Sequence, residues 1–378
     1  MRPSEQVRAM LETHWMREGY AAPNDTVYPW QWLWDSCFHS IIWARLGDSH
    51  RALRELASAL STQDANGFVP HMNYVRDPGF HATFWGREGA SSITQPPMFG
   101  HAIAALRGRG VDVPLDTVER AHRGIRFLLE TRRRHDTSGL VLLAHPWETG
   151  CDDSPRWDDL CPGDGFALAR WQERKGDLVA SVESDDAGSP IANHSFTVAS
   201  VGFNALVAFN AFELCIDASG IVGALDARWD QGASTWIDAG DTEAGSGRAR
   251  TLDGLLPVLV ERRRSRARAV LDAALDDDAY GGAYGPAGVH RDEATFANAV
   301  YWRGPAWPQL SYLLWVAARR HGFMSHAREL ARRSVVGAFT SGLAEYWNPD
   351  TGFGLGAIPQ SWTGLAIVMA AAEGFPDE

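Results

Sequence analysis

Two loops of the chain each place carboxyl groups among aromatic side chains. Asp152 and Asp153 lie between Trp147 and Trp157, and Glu345 is followed directly by Tyr-Trp-Asn-Pro-Asp-Thr-Gly. A carboxyl group enclosed by aromatic rings loses solvation, which raises its pKa and lets it hold a proton near neutral pH. One such acid and a second carboxylate are the groups that cleave a glycosidic bond. Each segment alone is also typical of a turn, so the prediction depends on the two together.

Two tryptophan-rich segments near opposite ends of the chain combine rings with polar side chains. They are Tyr-Pro-Trp-Gln-Trp-Leu-Trp-Asp at 28–35 and Tyr-Trp-Arg-Gly-Pro-Ala-Trp at 301–307. A purely apolar core favours Leu, Ile, Val and Phe, because a buried indole N–H must find a partner. The mixture is typical of a pocket in which rings cover the C–H faces of a sugar and polar groups bind its hydroxyls. The alternative is that these tryptophans are ordinary core residues where helices meet.

The elements that must position these segments are almost all predicted helices. Apolar spacing and capping residues predict about eleven or twelve of them, with few strand signals. The predicted ranges are 4–19, 33–46, 49–60, 97–108, 115–133, 195–215, 221–239, 252–275, 307–321, 325–341 and 360–372. The irregular stretches 66–94 and 135–193 exceed ordinary connections, which indicates functional loops. We therefore expect an all-α fold, an α/α barrel with an inner and an outer ring of helices and long active-site loops at one end.

Length and composition favour one domain over residues 1–378 and exclude some partners. The 35 basic residues are outnumbered by 47 acidic ones, and the one basic run, at 262–268, is typical of a solvated helix face. Nucleic acid is therefore not expected as a partner. No stretch approaches the roughly 20 apolar residues that span a bilayer, and the N-terminus lacks an apolar signal region. The four cysteines form no C-x-x-C pair, which fits a reducing cytoplasm. The oligomeric state is left open.

Five motifs follow one another along the chain in the order found in a known family. They are WLWDSCFH at 32–39, TQPP at 94–97, TGCDDSPRW at 149–157, YWRGPAWP at 301–308 and EYWNPDTG at 345–352. Together they resemble glycoside hydrolase family 63, and most closely its bacterial mannosylglycerate and glucosylglycerate hydrolase branch. The resemblance extends from about Tyr28 to Trp362, nearly the whole chain.

This resemblance implies a six-fold α/α barrel and an inverting mechanism that uses no cofactor and no metal. The Asp-Asn-Ser-Pro-Arg motif of the family matches residues 152–156, so Asp152 is the expected general acid and Asp153 replaces the usual Asn. If both neighbouring carboxyls are buried, the apparent pKa of the pair should rise. The family's catalytic base matches Glu345. Sugar-binding positions of the family match Tyr28, Trp32, Trp34, Asp35, Gln95, Tyr301, Trp302, Trp307 and Gln360.

Some of these positions also have plain structural explanations. Trp302 and Trp307 fit equally well as wedges between helices, and Asp35 fits as the N-terminal cap of the helix that follows it. Gln95 precedes two prolines and has no helix-forming role, which favours binding.

The leaving group of the substrate is the least determined feature. An acidic aglycone such as glycerate needs a cation or a cluster of donors for its carboxylate, and Arg156, Arg87 and Arg76 are the candidates. The segment 177–194 holds four acids and no Lys or Arg, so it would repel a carboxylate if it bordered the pocket. The leading hypothesis is an inverting α-glycosidase for a small α-glucoside or α-mannoside. Glucosylglycerate or mannosylglycerate is the first substrate to test, and a neutral α-linked disaccharide is the second.

Two other classes of protein remain as alternatives. The acid-rich segment 152–159 superficially resembles the Mg²⁺ sites of all-α enzymes that use diphosphates, which need clustered carboxylates. Pro155 disfavours the continuous helix that such sites use. A catalytically silent sugar-binding barrel is the other alternative, but both candidate catalytic carboxylates are present, so nothing in the sequence favours it.

Overall fold

The computed structural model describes residues 1–377, and helices form most of its regular structure. This confirms the all-α prediction. The α-helices of this part of the chain are α1 Pro3–Thr13, α2 Leu33–Arg45, α3 Ser49–Ala59, α4 Ala82–Trp85, α5 Phe99–Arg107, α6 Leu115–Arg126, α7 Leu168–Ala180, α8 Val201–Glu213, α9 Ser219–Asp226, α10 Arg264–Leu275, α11 Pro308–Arg320, α12 Met324–Thr340 and α13 Leu365–Ala372. Short 3₁₀ helices occupy Pro146–Thr149, Pro155–Leu160, Ser246–Arg248, Asp253–Leu259 and Ser361–Gly364, and a π-helical turn, Phe127–Thr131, continues α6.

The strands form two-stranded antiparallel pairs that tie loops together. The pairs are β1 Trp15–Met16 with β2 Tyr20–Ala21, β3 Gln31–Trp32 with β4 Met72–Asn73, β5 Val182–Ser184 with β6 Pro190–Asn193, β7 Val198–Ala199 with β10 Ala239–Gly240, β8 Trp229–Asp230 with β9 Thr235–Trp236, and β11 Tyr346–Trp347 with β12 Gly354–Leu355. In the pair β3–β4, Trp32 lies opposite Met72, which joins the first tryptophan-rich segment to the irregular stretch 66–94. The pair β11–β12 begins directly after Glu345.

Six buried segments pack side by side in a closed ring. In ring order they are α2, α5, α8, the 3₁₀ helix Asp253–Leu259, α11 and α13, and α13 packs against α2 again. In α8, every residue from Val201 to Ala211 is buried, and apolar residues lie on all sides of the helix. Such a helix needs a neighbour on every side. A second layer supplies it: α3, α6, α9, α10, α12 and α1 pack on the six segments in the same order.

Several predicted helices are shorter than the sequence pattern indicated. The predicted helix 4–19 ends at Thr13, before the β1–β2 pair, and 195–215 begins only at Val201, after β7. The predicted helix 360–372 starts with a 3₁₀ segment, so α13 begins at Leu365. The two largest differences are in 221–239 and 252–275. The predicted helix 221–239 is wrong beyond Asp226, because β8 and β9 form a hairpin whose turn is held by the Asp230 carboxylate, which accepts from the backbone N–H groups of Gly232 and Ala233. The predicted helix 252–275 is interrupted after Leu259. Pro257 has no N–H to donate to the preceding turn, so the first part is a 3₁₀ helix and α10 begins at Arg264.

Two helices at the site were missed by the sequence analysis: the single turn α4 within the stretch 66–94, and one longer helix. Helix α7, Leu168–Ala180, lies inside the stretch 135–193, which was predicted to be irregular. Its buried face is formed by Trp171, Lys175, Leu178 and Val179, whose spacing of four, three and one residues is that of one helix face. A lysine at a core position hides this pattern from an apolar periodicity count.

Candidate active site

A cavity of about 810 Å³ lies at the N-terminal ends of several ring segments. Its walls come from the residues that precede or begin α2, α5, α11 and α13, and from the two carboxylate loops. Ten of the twelve predicted site residues line it: Tyr28, Trp32, Trp34, Asp35, Gln95, Asp152, Tyr301, Trp302, Glu345 and Gln360. The sequence motifs are thus brought together in space.

Glu345 is a buried carboxyl group held in one orientation. The Tyr28 hydroxyl donates to its Oε1 at 3.1 Å, and the backbone N–H of Ala357 donates to its Oε2 at 2.9 Å. The Trp362 indole fixes the backbone, because its Nε1 donates to the Glu345 carbonyl at 3.1 Å. Gly356 has φ 70°, and a Cβ there would collide with Oε2 of Glu345. Burial raises the pKa of Glu345 to about 7, and the two hydrogen bonds oppose the rise.

Asp152 is held by tryptophans of the loop and of α7. The Trp171 indole donates to the Asp152 carbonyl at 2.9 Å, and the Trp157 indole donates to the preceding carbonyl at 2.8 Å. The turn requires glycine at position 150, because φ is 71° and a Cβ would lie 2.5 Å from the Trp34 ring. Burial raises the pKa of Asp152 to about 7; the charge of Lys175 acts against this rise, and the charges of Asp153 and Glu345 add to it.

The two carboxyls therefore have the properties of an acid and base pair. Both titrate near neutral pH, and ionisation of Glu345 makes ionisation of Asp152 harder, so the two titrate as a coupled pair. A coupled pair of this kind passes through a state in which one group is protonated and the other is ionised. One group is then able to donate a proton while the other accepts one.

Asp35 is a third carboxyl group in the cavity wall. It is 3% exposed, and within residues 1–377 no basic side chain lies at ion-pair distance from it. Burial, and then the charge of Glu345, raise its pKa well above the usual range. The explanation of Asp35 as a helix cap is wrong, because Trp32 occupies the N-cap position of α2. A protonated Asp35 is able both to donate to and to accept from a sugar hydroxyl.

The predicted ligand Trp307 does not line the cavity. It is fully buried and stacks directly behind Trp302, with ring centroids 3.6 Å apart and an interplanar angle of 5°. Its other face stacks on Tyr346 at 4.5 Å. The prediction that Trp307 binds sugar is therefore corrected: Trp307 supports Trp302, which forms part of the cavity wall. Trp302 has φ 59°, a left-handed conformation that a bulky residue adopts only when its surroundings force it.

The prediction that Arg156 binds the substrate is also corrected, because Arg156 is a structural residue. Its guanidinium is 1% exposed and forms ion pairs with Asp238 and Asp253, the second at 2.7 Å. The other two arginine candidates are also engaged elsewhere. Arg87 pairs with Asp64 at 2.7 Å, and Arg76 donates to the Pro29 carbonyl at 2.8 Å. None of the three lines the cavity.

The acidic segment 177–194 does not line the cavity either, so the expected repulsion is not built into the site. Glu183 of this segment pairs with Arg133 at 2.9 Å, and Asp185 accepts from Asn66 at 2.7 Å. Their carboxylates are used to tie the β5–β6 pair to neighbouring loops.

The sequence analysis missed a cation and several aromatic side chains that line the cavity. Lys175 of α7 is the one Lys or Arg among the lining residues. It is also the single lysine in a chain that otherwise uses only arginine, a signal that was available in the sequence. Other lining residues that it did not single out include Tyr74, Phe80, His81 and Gln172. Trp30 and Trp147 also line the cavity and belong to the aromatic segments described above, and Phe84 and Trp85 lie in the stretch 66–94, which was predicted to be functional.

The carboxylates of the acid-rich segment 152–159 do not converge on a common point. Asp153 pairs with Lys175 at 2.6 Å, and Asp158 pairs with Arg303 at 2.6 Å. Within the described residues, no three His, Cys, Asp or Glu side chains are arranged to hold a metal ion. The Mg²⁺ alternative therefore has no support from the geometry of this segment. Over the same residues, no helix has both the length and the apolar character to cross a bilayer.

A helical scaffold with two buried carboxyls in an aromatic cavity has the composition of a glycoside hydrolase site, and known proteins that resemble this chain are hydrolases of this kind. The family model for the mannosylglycerate hydrolase MGH1-like glycoside hydrolase domain matches residues 28–218 and 216–363 of the chain. The chain belongs to this family of glycoside hydrolases.

Curated relatives and solved structures match over nearly the full chain. A glucosylglycerate hydrolase of Mycolicibacterium hassiacum is 30% identical, and the alignment covers 92% of each chain. A mannosylglycerate hydrolase of Thermus thermophilus is 28% identical over 92% of this chain and 95% of its own. The crystal structure of a family 63 mannosylglycerate hydrolase from Thermus thermophilus, in complex with Tris and D-glycerate, has the same fold. It has a TM-score of 0.80 at 24% identity, covering 98% of this chain and 100% of that one.

Proposed function

We propose that this protein is an inverting α-glycosidase, a single (α/α)₆-barrel domain over residues 1–378 that hydrolyses a small α-glucoside or α-mannoside. The observation that carries the proposal is that Asp152 and Glu345 line one cavity, each with a pKa raised to about 7. The closed ring of six inner segments, each covered by an outer helix, supports the barrel.

In the proposed reaction, Asp152 and Glu345 act in one step. Asp152 gives its proton to the glycosidic oxygen as the bond to the anomeric carbon breaks. Glu345 takes a proton from a water molecule, whose oxygen attacks that carbon from the opposite face. The products are the free alcohol and a sugar of inverted anomeric configuration. No cofactor takes part in this scheme.

Polar atoms without protein partners support sugar binding in the same cavity. Trp32 Nε1, Trp302 Nε1 and Gln360 Oε1 have no hydrogen-bond partner in the described structure, although all three residues line the cavity. Buried polar atoms in a folded protein are normally paired, so unpaired ones in a cavity wall are candidates to bind hydroxyls. Asp35 adds a fourth polar group that faces the same space.

Glucosylglycerate and mannosylglycerate are the substrates we propose first, because related hydrolases carry these names and Lys175 offers a cation to the cavity. One observation favours the second candidate, a neutral α-linked disaccharide. The charge of Lys175 is already balanced by Asp153, and the aromatic residues Trp30, Phe80 and Phe84 provide faces for a second sugar ring.

Incubation with a panel of substrates tests the proposal and separates the two candidates. The panel contains glucosylglycerate, mannosylglycerate, maltose and trehalose, and released sugar is measured. Release from either glycosylglycerate at the highest kcat/KM supports the first candidate, and release from a disaccharide at the highest kcat/KM supports the second. If no α-glycoside in the panel is cleaved, or if Glu345→Gln cleaves as well as the wild type, the proposal is wrong.

A further inference from the structure

The only lysine of the sequence lies beside the proposed general acid. The Lys175 side chain is 2% exposed, and its Nζ lies 2.6 Å from Oδ1 of Asp153. The helix that carries it is fixed at this point, because the His145 ring forms a hydrogen bond of 2.9 Å with the Lys175 carbonyl. A lysine that is ordered, buried and ion-paired within the site has a specific electrostatic effect on its neighbours.

Asp153 is the direct neighbour of Asp152, and its own side chain is 5% exposed. The negative charge of Asp153 raises the pKa of its buried neighbour Asp152. A general acid beside a second carboxyl works only if it is the group that holds the proton. Lys175 contacts Asp153 and not Asp152, and this asymmetry distinguishes the two carboxyls.

We propose that Lys175 is a positioning residue for catalysis: it neutralises Asp153, so that the proton of the neighbouring pair resides on Asp152. The ion pair as a whole is neutral, and Asp152 therefore experiences a small net field from it. This inference rests on the proposed function, since it assumes that Asp152 is the general acid.

The other groups around Asp152 do not favour a proton on Asp152 over one on Asp153. Those that act on its ionisation are Glu345, Tyr301 and Tyr28. Arg303 also approaches, donating to the Asp153 carbonyl at 3.3 Å, but its charge is neutralised by Asp158. Lys175 is therefore the cation whose removal changes the balance between the two carboxyls.

A lysine suits this position better than an arginine. Its Nζ lies near two indole rings, 5.7 Å from the centroid of Trp147 and 5.9 Å from that of Trp171. A compact ammonium fits there as a point charge, whereas a guanidinium is a wider planar fork. Trp171 also donates to the Asp152 carbonyl, so the same side chain orders both the cation and the acid.

Two single variants and their combination test the inference through the alkaline limb of the pH profile, which reports loss of the proton from the general acid. Asp153→Asn leaves the charge of Lys175 unopposed, so the limb should move about one pH unit lower. Lys175→Met leaves Asp153 unopposed, so the limb should move about one pH unit higher. In the double variant the two effects should cancel, and the limb should return close to its wild-type position. The substrate is whichever member of the panel the wild type cleaves.

A measurement that needs no turnover uses the fact that the lysine is unique. Labelling with [¹³Cε]lysine gives one lysine signal for the whole protein. In the wild type this signal should move as the pH passes through about 7, the pKa of Asp152. The movement should vanish in Asp152→Asn and persist in Glu345→Gln, and Asp153→Asn should displace the signal at every pH.

Several outcomes would overturn the inference. If both single variants lose activity equally at all pH values, without a shift of the limb, the ion pair only links α7 to the acid loop. If Asp153→Asn leaves the lysine signal unchanged, the pair does not form in solution. The proposed function and this inference are distinguishable. If the wild type cleaves no substrate but the lysine signal still reports the ionisation of Asp152, the proposed function is refuted, whereas the placement of the proton on Asp152 stands.

Discussion

The Tyr28 hydroxyl donates a hydrogen bond of 3.1 Å to Oε1 of Glu345, although 317 residues separate the two in sequence. The contact forms because α13 packs against α2 and so closes the ring of inner segments. Closure brings the loop that precedes α2 next to the loop that precedes α13. The orientation of the proposed base therefore depends on the N-terminal segment.

Tyr28→Phe should lower kcat/KM about tenfold, the cost of removing a hydrogen bond to a charged group. The Tyr28 hydroxyl stabilises ionised Glu345, so its loss should raise the pKa of the base above about 7. The acid limb of the pH profile should then move to higher pH. An unchanged acid limb would show that Tyr28 does not act on Glu345.

The carboxyl groups of Asp152 and Glu345 should lie about 6.5–9.5 Å apart in a substrate complex, which leaves room for a water between base and sugar. The first-formed sugar should then have inverted anomeric configuration, as read by NMR early in the reaction. A retained configuration, which goes with a separation of about 5 Å, would refute the inverting mechanism.

Asp152→Asn should stabilise the protein at pH 8 by up to about 4 kcal/mol. The carboxyl ionises at 3.8 in the unfolded chain and at about 7 in the folded one, so the folded state holds the extra proton between these values. The wild-type free energy of unfolding therefore has its full contribution from this group below about pH 4 and loses it as the pH rises to 7. Chemical denaturation at pH 4 and pH 8 measures the difference. The matched control, Asp112→Asn at an exposed site, should change stability little at either pH.

The loop 77–94 should close over bound sugar. Phe80 and Phe84 line the cavity but remain 37% and 43% exposed, so both have surface left to bury. Arg87 of the loop is already anchored by its ion pair with Asp64 at 2.7 Å, so we expect the part around Phe80 and Phe84 to move. Hydrogen exchange in the loop should slow at saturating glucose while exchange in α8 stays the same. Equal exchange with and without glucose would identify the loop as fixed scaffold.

Arg156→Met should lower the free energy of unfolding by about 3–5 kcal/mol, because it leaves Asp238 and Asp253 buried without their cation. It should not change the ratio of kcat/KM values between a glycosylglycerate and a neutral disaccharide. Arg107→Met, at an exposed position on α5, is the matched control and should cost little. A stable variant that discriminates against glycerate would restore Arg156 as a ligand.

The sequence by itself predicted the helical class, and ten of the twelve predicted site residues line the cavity. Helices such as α2 and α12 differ from their predicted ends by one residue, because apolar periodicity and end signals are local properties of the chain. Most of the site residues were found because five ordered motifs resemble a known family, and the resemblance implies sugar binding at the matching positions. Asp35, Gln95 and Gln360 illustrate this, and all three line the cavity.

Only the tertiary structure decided which charged residues face the cavity. Arg156 lies in the acid motif but turns away from the cavity, because Asp238 and Asp253 from distant segments capture its guanidinium. Lys175 lies outside every motif, yet α7 carries it to Asp153. Local sequence shows that a charge is present, but not which opposite charge will be buried beside it. That choice depends on contacts between residues as much as 97 positions apart, which form when the ring of helices closes.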